Sequence, residues 1–320
     1  MSKILKAALA LAALLAISAK AQQLQLPPLI KIIVPFAAGA STDAAARAVA
    51  AELAKRTGGN VIVDNQPGAS TFIGVAAAAK APKDGSVLLM TSTSTITAAA
   101  TKQTVPVDIS TEMLPVSQLS AGPLIVAASA MSNIRTPAEL VAAARAKPDQ
   151  ITHGTGGVGT LAHVAAEMIN DTAKITLKHI PYKGAALAVP DFVAGRIDLL
   201  VGVYTTIGPQ VKAGRAHIIG VTTAQPQAAF PGVPIMASVA PGLNIDIWVG
   251  FFAPLGTPAA IVHRLNAELN EVAKTKAVRD VIEPDGSVPQ AITPEAFGAR
   301  VKTDYAAWKK LASAKNIVVD

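Results

Sequence analysis

Three segments of the chain group residue types suited to holding a small anion. Residues 35–43 read Pro-Phe-Ala-Ala-Gly-Ala-Ser-Thr-Asp, after an apolar run at 30–34 and before an Ala-rich stretch of helical spacing. Small residues there let a backbone approach a ligand, and a helix that opens with free N–H groups is an anion site. The same Ser41 or Thr42 also serves as an ordinary N-cap, and Asp43 as an acid that favours the helix dipole; the sequence leaves both roles open. Residues 91–95 are five hydroxyl side chains in a row, Thr91-Ser92-Thr93-Ser94-Thr95. Read alone, such a cluster is more often a solvated turn than a ligand wall. Residues 154–160 read Gly-Thr-Gly-Gly-Val-Gly-Thr ahead of a further helix. Gly154, Gly156 and Gly159 fit G-x-G-x-x-G, but a dinucleotide site also wants an acid about 20 residues on. That region reads Lys178-His179-Ile180-Pro181-Tyr182-Lys183, and Asp171 comes too early. A second helix start aimed at an anion is the better reading of this loop.

Other chemistry lacks its residues. With no cysteine, disulfides, thiol nucleophiles and Cys-ligated metals are excluded. The five histidines form no H-E-x-x-H and there is no G-x-S-x-G elbow. No catalytic residue, metal site or cofactor is therefore expected. His163 falls in the first turn after the glycine loop. It either hydrogen-bonds the ligand or the loop, or is simply a packed or capping side chain.

The elements that position these loops read as alternating strands and helices. Strands are expected at 30–34, 61–64 and 87–90, with helices at 43–56 and 71–80 between them. This order implies a parallel sheet with helices on both faces. The pattern restarts with strands at 124–128, 151–153, 175–180, 197–201 and 218–221, and helices at 137–146, 161–170 and 185–194. A buried strand at 248–252 follows, then helices at 258–274, capped by Thr257, and 294–314, capped by Thr293. Two α/β units with a C-terminal return imply two lobes and a cleft. Lobe 1 is expected to hold residues 22–122 and 249–320, and lobe 2 residues 123–248.

Composition bounds the rest. The 320 residues are 51% hydrophobic and 15% charged, which excludes a disordered chain. Lys3 and Lys6, an apolar run at 7–17 and Ala19-Lys20-Ala21 make a complete export signal, with cleavage expected before Gln22. That run is too short for the roughly 20 residues of a spanning helix. Cleavage removes Lys3, Lys6 and Lys20 and no acid, so the formal charge falls from +7 to +4. The remaining cations are scattered, with no basic stripe or stacking platform, so nucleic acid is not an expected partner. A mild positive field suits a small anion.

At these residues the sequence resembles the Bug-type solute-binding receptors of tripartite tricarboxylate transporters. The resemblance runs from Ile30 to the C-terminus. It rests on Ile32-Ile33-Val34-Pro35-Phe36 with Ala38-Gly39 and Asp43, on Val63-Asp64-Asn65-Gln66-Pro67-Gly68-Ala69, and on residues 154–159 with His163 and Glu167. It continues through residues 179–184 and 195–198, and is most specific at 248–258, Trp-Val-Gly-Phe-Phe-Ala-Pro-Leu-Gly-Thr-Pro. It implies an α/β, two-lobed periplasmic binding protein of Venus-flytrap, type II-like form, each lobe a sheet flanked by helices, without catalysis. In such receptors main-chain amides, small hydroxyls and ordered water hold a carboxylate. The matching positions are Phe36, Ala38, Gly39, Ala40, Ser41, Thr42, Ser92, Thr93, Thr155, Gly156, Gly159 and His163, with the first carboxylate between the Gly39 and Gly156 loops. The implied partners are a mono- or dicarboxylate, its body aliphatic or aromatic, and a membrane permease, with the receptor a monomer in the periplasm. Where such receptors carry an Asp able to pair with a ligand amine, this chain has Gly202, beside Val203 and Tyr204, which points to an acid without an amino group. A sensing role through a sensor kinase, and an enzyme acting on a carboxylate through Asp43 or His163, are the alternatives.

Overall fold

The computed structural model describes residues 25–102, 104–182, 184–315 and 317; the expected export signal at 1–21 and Lys183 lie outside the described residues. In chain order the strands are β1 (Leu29–Val34), β2 (Asn60–Asn65), β3 (Val87–Ser92), β4 (Met113–Pro123), β5 (Ile125–Ser129), β6 (Thr152–Thr155), β7 (Lys178–Pro181), β8 (Leu199–Gly202), β9 (Ala216–Val221), β10 (Asp246–Pro254) and β11 (Val288–Pro289). They form two sheets, ordered β11-β4-β10-β3-β1-β2 and β7-β6-β8-β5-β9. Each sheet, flanked by helices, is one lobe of a two-lobed α/β fold.

β1 shows why its sequence is apolar throughout. Ile30, Ile32 and Val34 pack with Ala45, Ala46, Val49 and Leu53 of helix Ser41–Thr57, while Ile33 faces the opposite core with Leu89 and Ile96. A strand covered on both faces reads as a continuous hydrophobic run. Helix Ser41–Thr57 ends at Gly58, whose left-handed φ of 70° lets its N–H reach the Ala54 carbonyl.

The sheets are not the all-parallel ones expected. β1 runs parallel to β2 and β3, and β6 parallel to β7 and β8. β10, however, lies antiparallel between β3 and β4, and β5 antiparallel between β8 and β9. The reason is the path between lobes. The chain leaves the first sheet along β4 and comes back along β10, so the two long crossing strands run in opposite directions. Thr222 ties the crossings together: its Oγ1 accepts from the Leu124 N–H at 3.0 Å and donates to the Ile245 carbonyl at 2.7 Å.

Other boundaries moved for local reasons. The first helix begins at Ser41, not Asp43. Helix Ala259–Ala273 takes Pro258 as N-cap, and the Thr257 hydroxyl donates to the Pro254 carbonyl instead of capping. Residues 91–95 are no solvated turn: they span the end of β3 and the first turn of helix Thr93–Thr101, and Thr91, Thr93 and Thr95 are fully buried. Helices Tyr204–Lys212 and Lys276–Ile282 were not expected.

Gly250 in β10 makes one packing prediction. A methyl group there would press into the Phe297 ring and lie 3.1 Å from the Ser117 carbonyl oxygen. Phe297 is fully buried and meets Trp248 edge-on at 5.1 Å, so it has no room to retreat. Gly250→Ala should cost about 1–3 kcal/mol in a denaturant melt. Adding Phe297→Leu should return part of that loss; a strictly additive double variant would show that the clash is not with this ring.

Candidate functional site

A cavity of about 560 Å3 opens between the two sheets. Its wall is built from helix starts. Ala40, Thr71, Ser92, Thr160, Gly184 and Val203 all line it, and each is the N-cap of a helix. The helices are Ser41–Thr57, Phe72–Ala79, Thr93–Thr101, Leu161–Ala173, Ala185–Val193 and Tyr204–Lys212. Each N-terminus carries about half a positive charge. Among the described lining residues there is no acid, and Lys102 is the one charged side chain. An adjoining cavity that shares Ser41, Thr42, Ser92, Val203 and Ile247 with it adds Asp285, so the cleft is positive without a cluster of cations except at that carboxylate.

The six starts are not equivalent. Ser92 and Thr160 cap their own helices, accepting from the N–H groups of Ser94 and His163. The helix Tyr204–Lys212 is capped from the other lobe: the Asp285 carboxylate accepts from the Thr205 N–H at 2.6 Å and its hydroxyl at 3.3 Å. Burial pushes the Asp285 carboxyl above the usual range, against these two hydrogen bonds. Ala40, Thr71 and Gly184 make no side-chain cap. The Phe72 N–H beyond Thr71 is already taken by the Ala69 carbonyl, so the first-turn amides beyond Ala40 and Gly184, one set from each lobe, are the fuller sets left to an anion.

The glycine loop is largely closed on itself. The Gly157 N–H donates to Thr155 Oγ1, the Gly159 N–H to His163 Nδ1 and the Thr160 N–H to the Gly157 carbonyl. It thus presents small surface, with Gly156 to Thr160 along the wall, more than it presents donors.

Of the residues expected at the site, Phe36, Ala40, Ser41, Thr42, Ser92, Gly156 and Gly159 line this cavity. The others do not line it: Ala38 and Gly39 are exposed, and Asp43, Thr93, Thr155 and His163 are buried. Asp43, 4% exposed, accepts from the Gly39 N–H at 2.8 Å and from Asn65 at 2.9 Å, and pairs with Arg47 at 3.0 Å. Asn65 also donates to the Phe36 carbonyl, so this network fixes the loop around Ala38 and Gly39. Burial raises the Asp43 pKa, but the bonds from Gly39, Arg47 and Asn65 outweigh it and hold the carboxyl below its usual value. The Thr93 hydroxyl accepts from the Trp248 N–H at 2.8 Å. Gly202 ends β8, and the Tyr204 ring packs on Phe230 at 5.0 Å. Val203 between them is the wall residue.

The family-scale comparison fits this geometry. The family model described as "Tripartite tricarboxylate transporter family receptor" matches residues 45–317. The chain belongs to this receptor family. A relative described as "UPF0065 protein in tcbD-tcbE intergenic region", from Pseudomonas sp. (strain P51), is 33% identical over 298 residues, 92% of this chain and 89% of that one. Among solved structures, the R. palustris protein Rpa4515 with adipate has a TM-score of 0.80 at 27% identity, covering 91% of this chain and 98% of that one. The periplasmic binding protein BugD has a TM-score of 0.77 at 27% identity, covering 90% and 98%.

Behind the glycine loop the receptor stacks three imidazoles. His179 lies 4.0 Å from His163 and 4.8 Å from His153, ring centre to ring centre and nearly parallel. The His179 Nε2 hydrogen-bonds Thr155 Oγ1 at 2.7 Å. His163 Nε2 is 3.9 Å from Glu167. His153 is fully buried and neither ring nitrogen has a hydrogen-bond partner among the described residues. Burial, reinforced by the neighbouring rings, pushes the pKa of His153 down to about 3. Burial and His163 push that of His179 to about 4, and burial lowers that of His163. The rings lie face to face, so their nitrogens do not converge, and among the described residues no set of three metal-ligating side chains comes together.

Sequence reasoning missed Ser70, Thr71, Ala98, Thr101, Lys102, Gly184, Ala185 and Ile247 of the wall, and named Ser94 only as part of the hydroxyl run. Ser94, Ala98 and Thr101 follow an i, i+4, i+7 spacing, which marks one helix face once the helix itself is known.

Proposed function

We propose that this receptor is exported, captures a small organic carboxylate without an amino group in the inter-lobe cleft, and delivers it as a monomer to a tripartite tricarboxylate-type permease. The two lobes would be residues 22–122 with 249–320, and residues 123–248. One observation carries the reading: six helix starts converge on a cavity with no acid among its described lining residues, and those at Ala40 and Gly184, from opposite lobes, are among the three without side-chain caps. Closing the lobes on a carboxylate completes both helix ends with one anion. A ligand ammonium would meet positive helix ends, and the acid of the adjoining cavity, Asp285, is already engaged by the Thr205 N–H and hydroxyl. The likeness to Rpa4515, solved with adipate, agrees with an amine-free acid.

The test is a thermal-shift screen on the chain from Gln22, unfolded, dialysed and refolded to strip any retained ligand. The panel holds mono-, di- and tricarboxylates, aromatic acids and acidic amino acids. A ligand at 100 times its Kd should stabilise the protein by about 2.7 kcal/mol. Shifts with amine-free acids are expected. A response to aspartate or glutamate alone would overturn the ligand class, and no response to any acid would overturn the receptor reading.

A further inference from the structure

Ala69, Ser70 and Thr71 have φ of 45°, 55° and 85°, three consecutive non-glycine residues in the left-handed region. For a β-branched residue such as Thr71 that conformation is an outlier, since Cβ crowds the carbonyl. The turn is nonetheless well anchored. The Thr71 N–H donates to the Gly68 carbonyl at 3.0 Å, and Phe72, the next residue, is buried. The turn also packs against helix Thr93–Thr101.

The side chains show what the strain accompanies. Ser70 and Thr71 both line the ligand cavity. The Thr71 hydroxyl oxygen is shut off from solvent and has no hydrogen-bond partner among the described residues. A hydroxyl buried in that way is unfavourable until something pairs it. Glycine at position 71 would relieve the backbone and remove the orphan group together. Strain of this kind persists where a side chain is needed at a ligand.

We propose that Thr71 is a specificity residue of this receptor. Turned about χ1 from its buried position into the cavity that the residue lines, its Oγ1 makes the hydrogen bond to a second oxygen function, a hydroxyl or a further carboxylate, on an acid whose first carboxylate sits at the helix starts. This rests on the carboxylate reading above. The ligand class narrows accordingly, away from plain alkanoates and aromatic monoacids and toward hydroxy acids and dicarboxylates. Lys102, which follows Thr101 on the wall, adds positive charge that suits the same class.

The experiment is calorimetric titration of the stripped chain from Gln22 with matched probes. One set is butanoate, 4-hydroxybutanoate and succinate; the other is hexanoate, 6-hydroxyhexanoate and adipate. Wild type should prefer an oxygenated member in at least one set. Thr71→Val, which keeps the shape and removes the hydroxyl, should weaken that member up to about tenfold and leave the plain acid within about twofold. Thr71→Ser should restore the preference. A Thr71→Val variant that weakens plain and oxygenated acids alike, or neither, would overturn the assignment while leaving the receptor reading intact. Wild type binding none of the six, nor any acid of the wider panel, would count against the receptor reading instead. In the absence of ligand, Thr71→Gly should raise Tm by about 2–4 °C and lose the preference. A lower Tm would remove the argument from strain.

Discussion

Between pH 7 and pH 4 the receptor should lose both affinity for its acid and a large part of its stability, through the histidine stack behind the glycine loop. All three imidazoles are held neutral in the fold, with pKa values below the ordinary 6.5, to about 3 for His153 and about 4 for His179. The unfolded chain binds these protons near pH 6.5, so the native state binds fewer protons below that value. The stabilisation is complete above pH 6.5 and is lost as pH falls through the native pKa values. At about 1.4 kcal/mol per unit, His153 alone accounts for an upper limit of roughly 3.5 kcal/mol between pH 6.5 and pH 4. That compares with a total of about 5–15 kcal/mol for an ordinary domain. Glu167 and Asp285, both raised by burial, act in the opposite sense: their protonation favours the fold in acid and softens the descent.

Binding follows by geometry. His163 Nδ1 accepts the Gly159 N–H, which it cannot do once protonated there, so acid opens the loop that walls the cavity. The informative variant is His153→Leu, because neither ring nitrogen of His153 has a partner to lose among the described residues. Its Tm at pH 7 should match or exceed wild type, and its decline toward pH 4 should be shallower. Tm profiles that coincide with wild type across that range would clear the stack of responsibility.

The fold was legible where both faces of a strand are buried in apolar packing, as in β1, and where a helix ends on a glycine, as at Gly58. β4 was illegible for the converse reason. Its buried Ser117, Gln118 and Ser120 interrupt the apolar pattern, and long-range partners satisfy polar groups there: the Ser117 hydroxyl donates to Asn270, and Arg300 donates to Gln118. The hydroxyl run at 91–95 misled in the same way. Thr91 and Thr95 share a 2.5 Å hydrogen bond, and Thr93 takes the Trp248 N–H from a strand far along the chain.

The candidate site divides along a different line. Residues 36–42 and 156–160 stand out because small residues precede a helix. The start at Ala185 is legible, as that of a helix expected over 185–194, but not as part of the site, and the start at Val203 is not legible, because without a capping side chain it leaves no mark in the sequence. Yet the capped starts, Ser92 and Thr160, spend a first-turn N–H on their own side chains, whereas Ala40 and Gly184 leave theirs for a ligand. Reading for caps therefore finds the helix starts least able to hold an anion. Thr71 lay hidden for a further reason: only the backbone shows that its φ is positive and its hydroxyl orphaned.

Ser41→Asp should abolish acid binding while leaving the empty receptor folded. Ser41 is the first residue of helix Ser41–Thr57, is exposed, and lines the cavity beside the uncapped start at Ala40. A carboxylate there is favourable to the helix itself, by about 0.3–1 kcal/mol, although Asp43 in the same turn offsets part of that gain. For the ligand the sign reverses. Two like charges about 4 Å apart repel by about 4 kcal/mol at an effective dielectric near 20, which is roughly a thousandfold in Kd. Ser41→Asn, similar in size but uncharged, should stay within about tenfold of wild type, and this contrast separates charge from crowding. Added salt should recover part of the loss in the Asp variant, since the cleft mouth admits counter-ions. The opposite signs are what give the experiment its force: a general perturbation of the lobe would lower Tm and affinity together, whereas an anion competing for the helix end lowers affinity alone. Ser41→Asp binding within tenfold of wild type would place the carboxylate away from this helix start, and with it the reading of the cavity.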